Sequence, residues 1–325
     1  MKKTQLRSIL EHKSYICFDT LDFSTNVHTQ KYISKKLEKL ADLLEKNKIA
    51  VIHYENMSFD ENFDEKFVDL VNNNRDRIEV YVEGHNKNFV FENCQQHNDY
   101  FLELSRKAEP KIIAHKTKPK DFLLLINRAD KPRIDLAKKL KASNLLQNSL
   151  VSVNAPSFDM QIKLPEEYDW DDIDQKRKDL FWLVYPFPRQ YEATKYSIVC
   201  ESVCDEKSYQ ISEKTYKTMM MFHPFVMLGP PGMLEYIRSK GFKTFDPFID
   251  ESYDKQTNLQ KRINMIAELC GNLQQEDWRT LYNQTYEIRR HNYNLFYSKC
   301  PTFLSPIYDD LKGSDDHILR DTGGR

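Results

Sequence analysis

The chain has 325 residues, 40% of them hydrophobic and 12% aromatic, enough to bury the cores of two ordinary domains. Its 48 Lys and Arg against 49 Asp and Glu give a formal net charge of -1, which excludes the basic excess of a dedicated non-specific nucleic-acid binder. Only 8 glycines are present, and neither G-x-G-x-x-G nor G-x-x-x-x-G-K-[ST] can be drawn, so a glycine-rich phosphate cradle is excluded as well. Any phosphate must be held by side chains and a helix end.

Residues 30–47 repeat Ile and Leu at helical spacing between Lys and Glu, which predicts an amphipathic helix. A buried strand is expected at 49–54, a helix at 60–73 with Phe63, Phe67, Val68 and Val71 on one side, and a strand at 78–82. That is the βαβ rhythm of an α/β domain. The longest apolar stretches, such as 122–126, fall far short of the roughly 20 residues that span a bilayer. Lys2, Lys3 and Arg7 are not followed by an apolar signal region, and six scattered cysteines include only one close pair, Cys200 and Cys204. Buried reduced thiols, no metal, no membrane span and a cytoplasmic location are the expectations.

The Lys/Pro-rich stretch 106–121 reads as the connection between an N-terminal domain (1–115) and a C-terminal one (120–300), with a polar tail at 301–325. Past it the rhythm restarts: strand 122–126, helix 134–145, strand 150–154, then an acidic, aromatic insertion at 157–192. Strand 197–200, helix 213–222, strand Phe225–Leu228, helix Met233–Ser239 and a short strand at 242–245 follow, and two long helices at 257–270 and 274–298 close the domain. Ligands of such parallel sheets sit beyond the carboxyl ends of the strands.

The most informative stretch begins where strand 197–200 runs into Glu201 and Ser202. A polar loop then leads to Ser212, a natural N-cap, with Glu213 and Lys214 in the first helical turn and Lys217 one turn on. Free N–H groups and the positive end of the helix dipole suit a phosphate there, and Lys214 and Lys217 add cations. Glu213 has the wrong sign for phosphate but can accept from ribose hydroxyls. Read by spacing alone, the same residues also describe a capped, solvated helix start.

This stretch resembles the donor-binding motif of the α1,3-fucosyltransferase family. Glu201-Ser202 matches its first carboxylate segment, Ser212-Glu213-Lys214 its Thr-Glu-Lys, Lys217 its arginine, and residues 225–231 its strand closing in Gly-Pro. The chain is also similar to phage-encoded glycosyltransferase-like proteins. That likeness rests on Asn127-Arg128, Lys240-Gly241-Phe242-Lys243-Thr244-Phe245 and Asp250-Glu251-Ser252-Tyr253-Asp254. The resemblance implies an α/β fold of the GT-B type, two Rossmann-like domains with a cleft between them. It also implies a metal-independent, inverting glycosyltransferase whose donor is a nucleoside-diphosphate sugar. Arg128 and Lys214 would meet the diphosphate, with Arg133 or Lys217 as second cations, Ser212 at the helix start and Glu213 on the ribose. Glu201 would orient the sugar or support the loop.

Inversion needs a general base on the acceptor side. Asp19, Asp22, His53 and Glu55 lie near the ends of N-terminal strands; Glu55 is preferred, then Asp22. The acceptor is expected to be a glycan, a lipid-linked sugar or a hydroxylated base of phage DNA, for which Lys111 to Lys120 offers a basic face. A non-catalytic interaction protein on the same fold is the alternative class. The D-x-D within 169–174 reads as acidic helix-start residues, Met219 to Met221 as core, the aromatic/Pro loop at 185–191 as packing, and Arg289-Arg290-His291 as a solvated face.

Overall fold

The computed structural model describes residues 117–128, 130–155, 188–204 and 208–298. It also describes the N-terminal elements at 13–18, 49–54, 65–83, 85–86 and 94–97, with isolated helical residues at 38–45 and 102–106. The chain divides into two units, Met1–Glu103 with Lys299–Arg325, and Leu104–Ser298.

In the first unit four strands, β1 (Lys13–Phe18), β2 (Ile49–Tyr54), β3 (Ile78–Glu83) and β4 (Cys94–His97), form a parallel sheet in the order β1-β2-β3-β4. Helix α1 (Glu65–Asn73) crosses from β2 to β3. Ile78, Val80 and Val71 are buried with Leu40 and Leu44, so the expected apolar periodicity builds this core. Strand β4 was not expected: Cys94-Gln95-Gln96-His97 has no apolar alternation.

The second unit is a parallel sheet of β5 (Lys120–Ile126), β6 (Leu150–Val153), β7 (Thr194–Cys200) and β8 (Phe225–Leu228), in the order β8-β7-β5-β6. Its strands are near-continuous apolar runs because both faces are covered. Around it lie α2 (Lys131–Ala142), α3 (Pro188–Ala193), α4 (Glu213–Met220), α5 (Met233–Ser239), α6 (Leu259–Gln275), α7 (Trp278–Gln284) and α8 (Tyr286–Tyr297). Helix α6 packs on α2 and β8, and α8 packs on α4. Met219, Met220 and Met221 are buried in the core. From β5 the chain goes to one side for β6 and to the other for β7 and β8. The order therefore reverses between β5 and β7, and ligands of open α/β sheets bind outside the carboxyl ends at such a reversal.

Three local expectations are corrected. Residues 242–245 form no strand, because the Asn292 side chain takes the place of a strand partner. Its Oδ1 accepts from the Lys243 N–H (2.7 Å) and its Nδ2 donates to the Lys243 carbonyl (2.8 Å). The helix expected at 274–298 is two helices broken at Thr285. Arg289 is no solvated residue. It is buried, its guanidinium carbon 3.5 Å from the Tyr282 ring centre and 4.7 Å from that of Phe222, and it donates to the Phe222 carbonyl (3.1 Å) and to the Tyr282 carbonyl at the helix break. Arg290, by contrast, is exposed and paired with Glu287 (2.6 Å).

Candidate functional site

Three loops meet at the carboxyl ends of β5 and β7. The first follows β5 and carries Asn127, Arg128 and Asp130 into α2, whose first turn holds Arg133. The second follows β7 and carries Glu201 and Ser202; the third is the start of α4.

Arg133 is the staple. Its side chain is 3% exposed, and it donates through Nε (3.1 Å) and Nη2 (2.7 Å) to the Glu201 carbonyl and through Nη1 to the Arg128 carbonyl (2.9 Å). Its Nη1 also lies 3.3 Å from Asp130 Oδ2. Asp130 occupies the N-cap of α2 without a side-chain capping bond, since that carboxylate oxygen faces Arg133 and Arg128 instead. A guanidinium is suited to this place because its planar fork fixes two carbonyls at once.

Glu201 is fully buried, and its carboxylate is consumed by the protein. Oε1 accepts from the Ser212 N–H (3.1 Å) and from the Thr215 hydroxyl, and Oε2 from the Ser202 N–H (3.1 Å). The buried charge is thus offset by three donors. Of the two roles expected of it, the geometry gives loop support. Ser212 caps α4 with φ -90° and ψ 175°, its hydroxyl accepting from the Lys214 N–H at 3.3 Å. The N–H groups of Ser212 and Lys214 therefore have internal partners, and the helix start offers its dipole and its cations more than free donors.

Those cations differ. Lys214 Nζ donates to Glu213 Oε1 (2.7 Å), Ser202 Oγ (3.1 Å) and Ser212 Oγ (3.4 Å), so it ties the second loop to the third. Glu213 is buried; burial pushes its carboxyl up, but Lys214 and Lys217 beside it hold it below its ordinary value. The Lys217 carbonyl accepts from the Met221 N–H (3.0 Å), while its ammonium has no hydrogen-bond partner among the described residues, and burial lowers it to about 8 against the upward pull of Glu213. Arg128 has a side chain 61% exposed, donates once to the Ser202 carbonyl (3.2 Å) and stands 3.6 Å from Asp130. It is the cation most able to turn outward.

The structure thus brings together Arg128, Arg133, Glu201, Ser212, Glu213 and Lys214, with Lys217 beside Glu213. Glu55, Asp22 and Asp19, the D-x-D at 169–174 and most of the acidic insertion lie outside the described residues. Thr215 and Asp130 were missed, and Ser202 was named with the motif but given no role. For Asp130 the signal was present, a carboxylate between two arginines at a helix start; for Thr215 nothing in the spacing shows that it meets Glu201.

The acidic segment of the phage-type likeness has internal work. Asp254 Oδ1 and Oδ2 both accept from the Leu234 N–H (3.2 and 3.1 Å), closing the start of α5. Glu251 accepts from the Phe245 N–H (2.7 Å) and Arg238 (3.1 Å), and the Tyr253 hydroxyl from the Met227 N–H (3.2 Å). Burial raises both Asp254 and Glu251.

Cys200 and Cys204 are free thiols, and burial pushes both up, Cys204 to about 12, so neither is a thiolate at neutral pH. Among the described residues no group of three His, Cys, Asp or Glu is placed to hold a metal ion, and no helix is long and apolar enough to cross a membrane. Compared with protein-family models, with curated proteins and with solved structures, the chain matches none.

Proposed function

We propose that the chain is a glycosyltransferase of the GT-B type that takes a nucleoside-diphosphate sugar as donor and inverts its anomeric centre without a metal. One observation carries the reading: the loop with Arg128 and the helix start with Lys214 and Lys217 meet the loop of Glu201 and Ser202 at the reversal of strand order in the second unit. The likeness of residues 201–231 to a donor-binding motif points to the same place.

In this reading the diphosphate displaces Ser202 and Ser212 from Lys214 and draws Arg128 outward. These cations stabilise the charge that grows on the leaving group as the glycosidic bond breaks. Arg133 and Glu201 act as positioning residues that hold the loops in register. Glu213 meets the ribose while Lys217 keeps it ionised. The acceptor hydroxyl attacks the anomeric carbon from the face opposite the leaving diphosphate, and a general base takes its proton. A panel of UDP-, GDP- and CMP-sugars tests this: release of nucleotide from at least one member, retained in EDTA and lost in Lys214→Ala, is expected. No release and no thermal shift with any member refutes it.

A further inference from the structure

Three carboxylates stand among the loops at the reversal of strand order, and two of them are engaged within the protein. Glu201 has donors on both oxygens, and Glu213 takes Lys214 on Oε1. Asp130 differs. Its Oδ2 faces Arg133 Nη1 (3.3 Å) and Arg128 Nε (3.6 Å), while its Oδ1 is buried and has no hydrogen-bond partner among the described residues.

The sequence explains why Oδ1 is bare. A carboxylate at an N-cap ordinarily accepts from the N–H of the second or third helical residue. In α2 the second is Pro132, which has no N–H, and the third is Arg133, whose N–H makes no bond to the Asp130 side chain. The guanidinium groups are turned to other oxygens: Arg133 Nε and Nη2 to the Glu201 carbonyl, Arg128 Nη2 to the Ser202 carbonyl. A carboxylate oxygen buried without a donor costs free energy, which a donor brought by a ligand would recover. The side chain as a whole is 31% exposed, so it belongs to the surface of the loops and not to the core.

Phosphate cannot supply that donor, since a diphosphate ester offers acceptors and carries the same sign as Asp130. The donors nearest the diphosphate of a sugar nucleotide are hydroxyls, of the ribose on one side and of the transferred sugar on the other. The N–H groups of the base lie beyond the ribose. Arg128 lies against Asp130, so a diphosphate that draws Arg128 outward uncovers the carboxylate and brings those hydroxyls beside it.

We propose that Asp130 is a specificity-determining residue of the donor site, whose carboxylate accepts a hydroxyl of the sugar nucleotide. The inference rests on the glycosyltransferase reading and adds a second carboxylate to Glu213. Bare pyrophosphate gains from Arg128 and is opposed by Asp130. A ligand with a hydroxyl in reach gains from both, through a charge-assisted hydrogen bond to the carboxylate. Arg133, held by two carbonyls, fixes Oδ2 and with it the direction of Oδ1.

The test is calorimetric titration of the full chain and of Asp130→Asn, which keeps an oxygen for Arg133 and replaces the bare acceptor by an amide donor. The ligands are pyrophosphate, UDP, GDP and CDP, the 2′,3′-dideoxy forms of these nucleotides, and UDP- and GDP-sugars. Asp130→Asn is expected to bind pyrophosphate at least as tightly as the parent. It is expected to lose about 10-fold or more of the advantage that hydroxylated ligands hold over it. A loss between nucleotide and dideoxy form assigns the hydroxyl to the ribose; a loss between sugar nucleotide and nucleotide assigns it to the transferred sugar. A loss shared by nucleotide and dideoxy form, but not by pyrophosphate, assigns the oxygen to the base and overturns the proposal. So does a loss equal for every ligand, which would mean that Asp130 only holds the loops, and so does no loss at all. In each of these cases the glycosyltransferase reading survives; if the parent binds no nucleotide, both fall. Should Asp130→Asn not fold, Asp130→Ser, which keeps a capping side chain, replaces it with the same ratios as the readout.

Discussion

Helices α4 and α5 start at the same edge of one sheet, after neighbouring strands, and they start differently. The start of α5 is sealed: Asp254 places both carboxylate oxygens on the Leu234 N–H, and its own carbonyl accepts from the Gly232 N–H at 2.7 Å. The start of α4 also leans on a buried carboxylate, Glu201, but Lys214, Lys217 and Arg128 gather about it. A helix dipole is common to both, so the dipole alone does not single out the proposed donor site. The sign of the surrounding side chains does, together with the reversal of strand order between β5 and β7.

The largest effects should separate the two carboxylates. Asp254→Ala leaves a buried N–H without a partner at α5 and is expected to lower the unfolding free energy by about 2 kcal/mol. It should leave nucleotide affinity unchanged. Glu201→Ala strips partners from two N–H groups and a hydroxyl, and should cost about 3 kcal/mol or more and abolish nucleotide binding too. Urea titration followed by calorimetry checks both; equal binding in the two variants would break the contrast. Next, Lys214→Ala removes a charge-assisted contact to phosphate of roughly 1.5–3 kcal/mol, a loss of about 10- to 100-fold in affinity. Arg128→Ala should cost about tenfold in affinity with no change in melting temperature, since its side chain is 61% exposed and bonds one carbonyl. A drop of several degrees would mean that it is a staple like Arg133.

The smallest effect is one of pH. Lys217 loses its proton near 8, so a diphosphate that depends on its charge should bind progressively more weakly as pH rises through that value. Glu213, held low, stays ionised across the same range and adds no slope of its own. In Lys217→Met the affinity should be flat from about pH 7 to 9.5 if Lys217 is the group concerned. A slope that survives the substitution assigns the titration elsewhere.

Much of this contrast was legible before the structure, and the reason is local. Ser212-Glu213-Lys214 announces a capped, charged helix start by spacing alone, and the strand runs at β5, β7 and β8 are apolar enough to stand out. Arg133 and Arg289 were not legible as buried. A sequence does not show that Arg133 will bridge two strand-end carbonyls, or that Arg289 will lie between Tyr282 and Phe222, residues far apart or on another helix. The same holds for Asn292, whose amide replaces a strand partner for Lys243 some 49 residues away. Strand β4 was missed because its composition is polar. Periodicity reports hydrophobicity; it is silent where polar groups are satisfied over distance.

Isothermal titration of the wild-type chain with UDP, GDP and CDP, in EDTA and at low salt, tests the central claim most directly. The account predicts that at least one of them binds with one-to-one stoichiometry, more tightly than inorganic phosphate, and that Lys214→Ala weakens that binding about 10- to 100-fold. No binding tighter than about 1 mM, roughly -4 kcal/mol, for any of the three would contradict it.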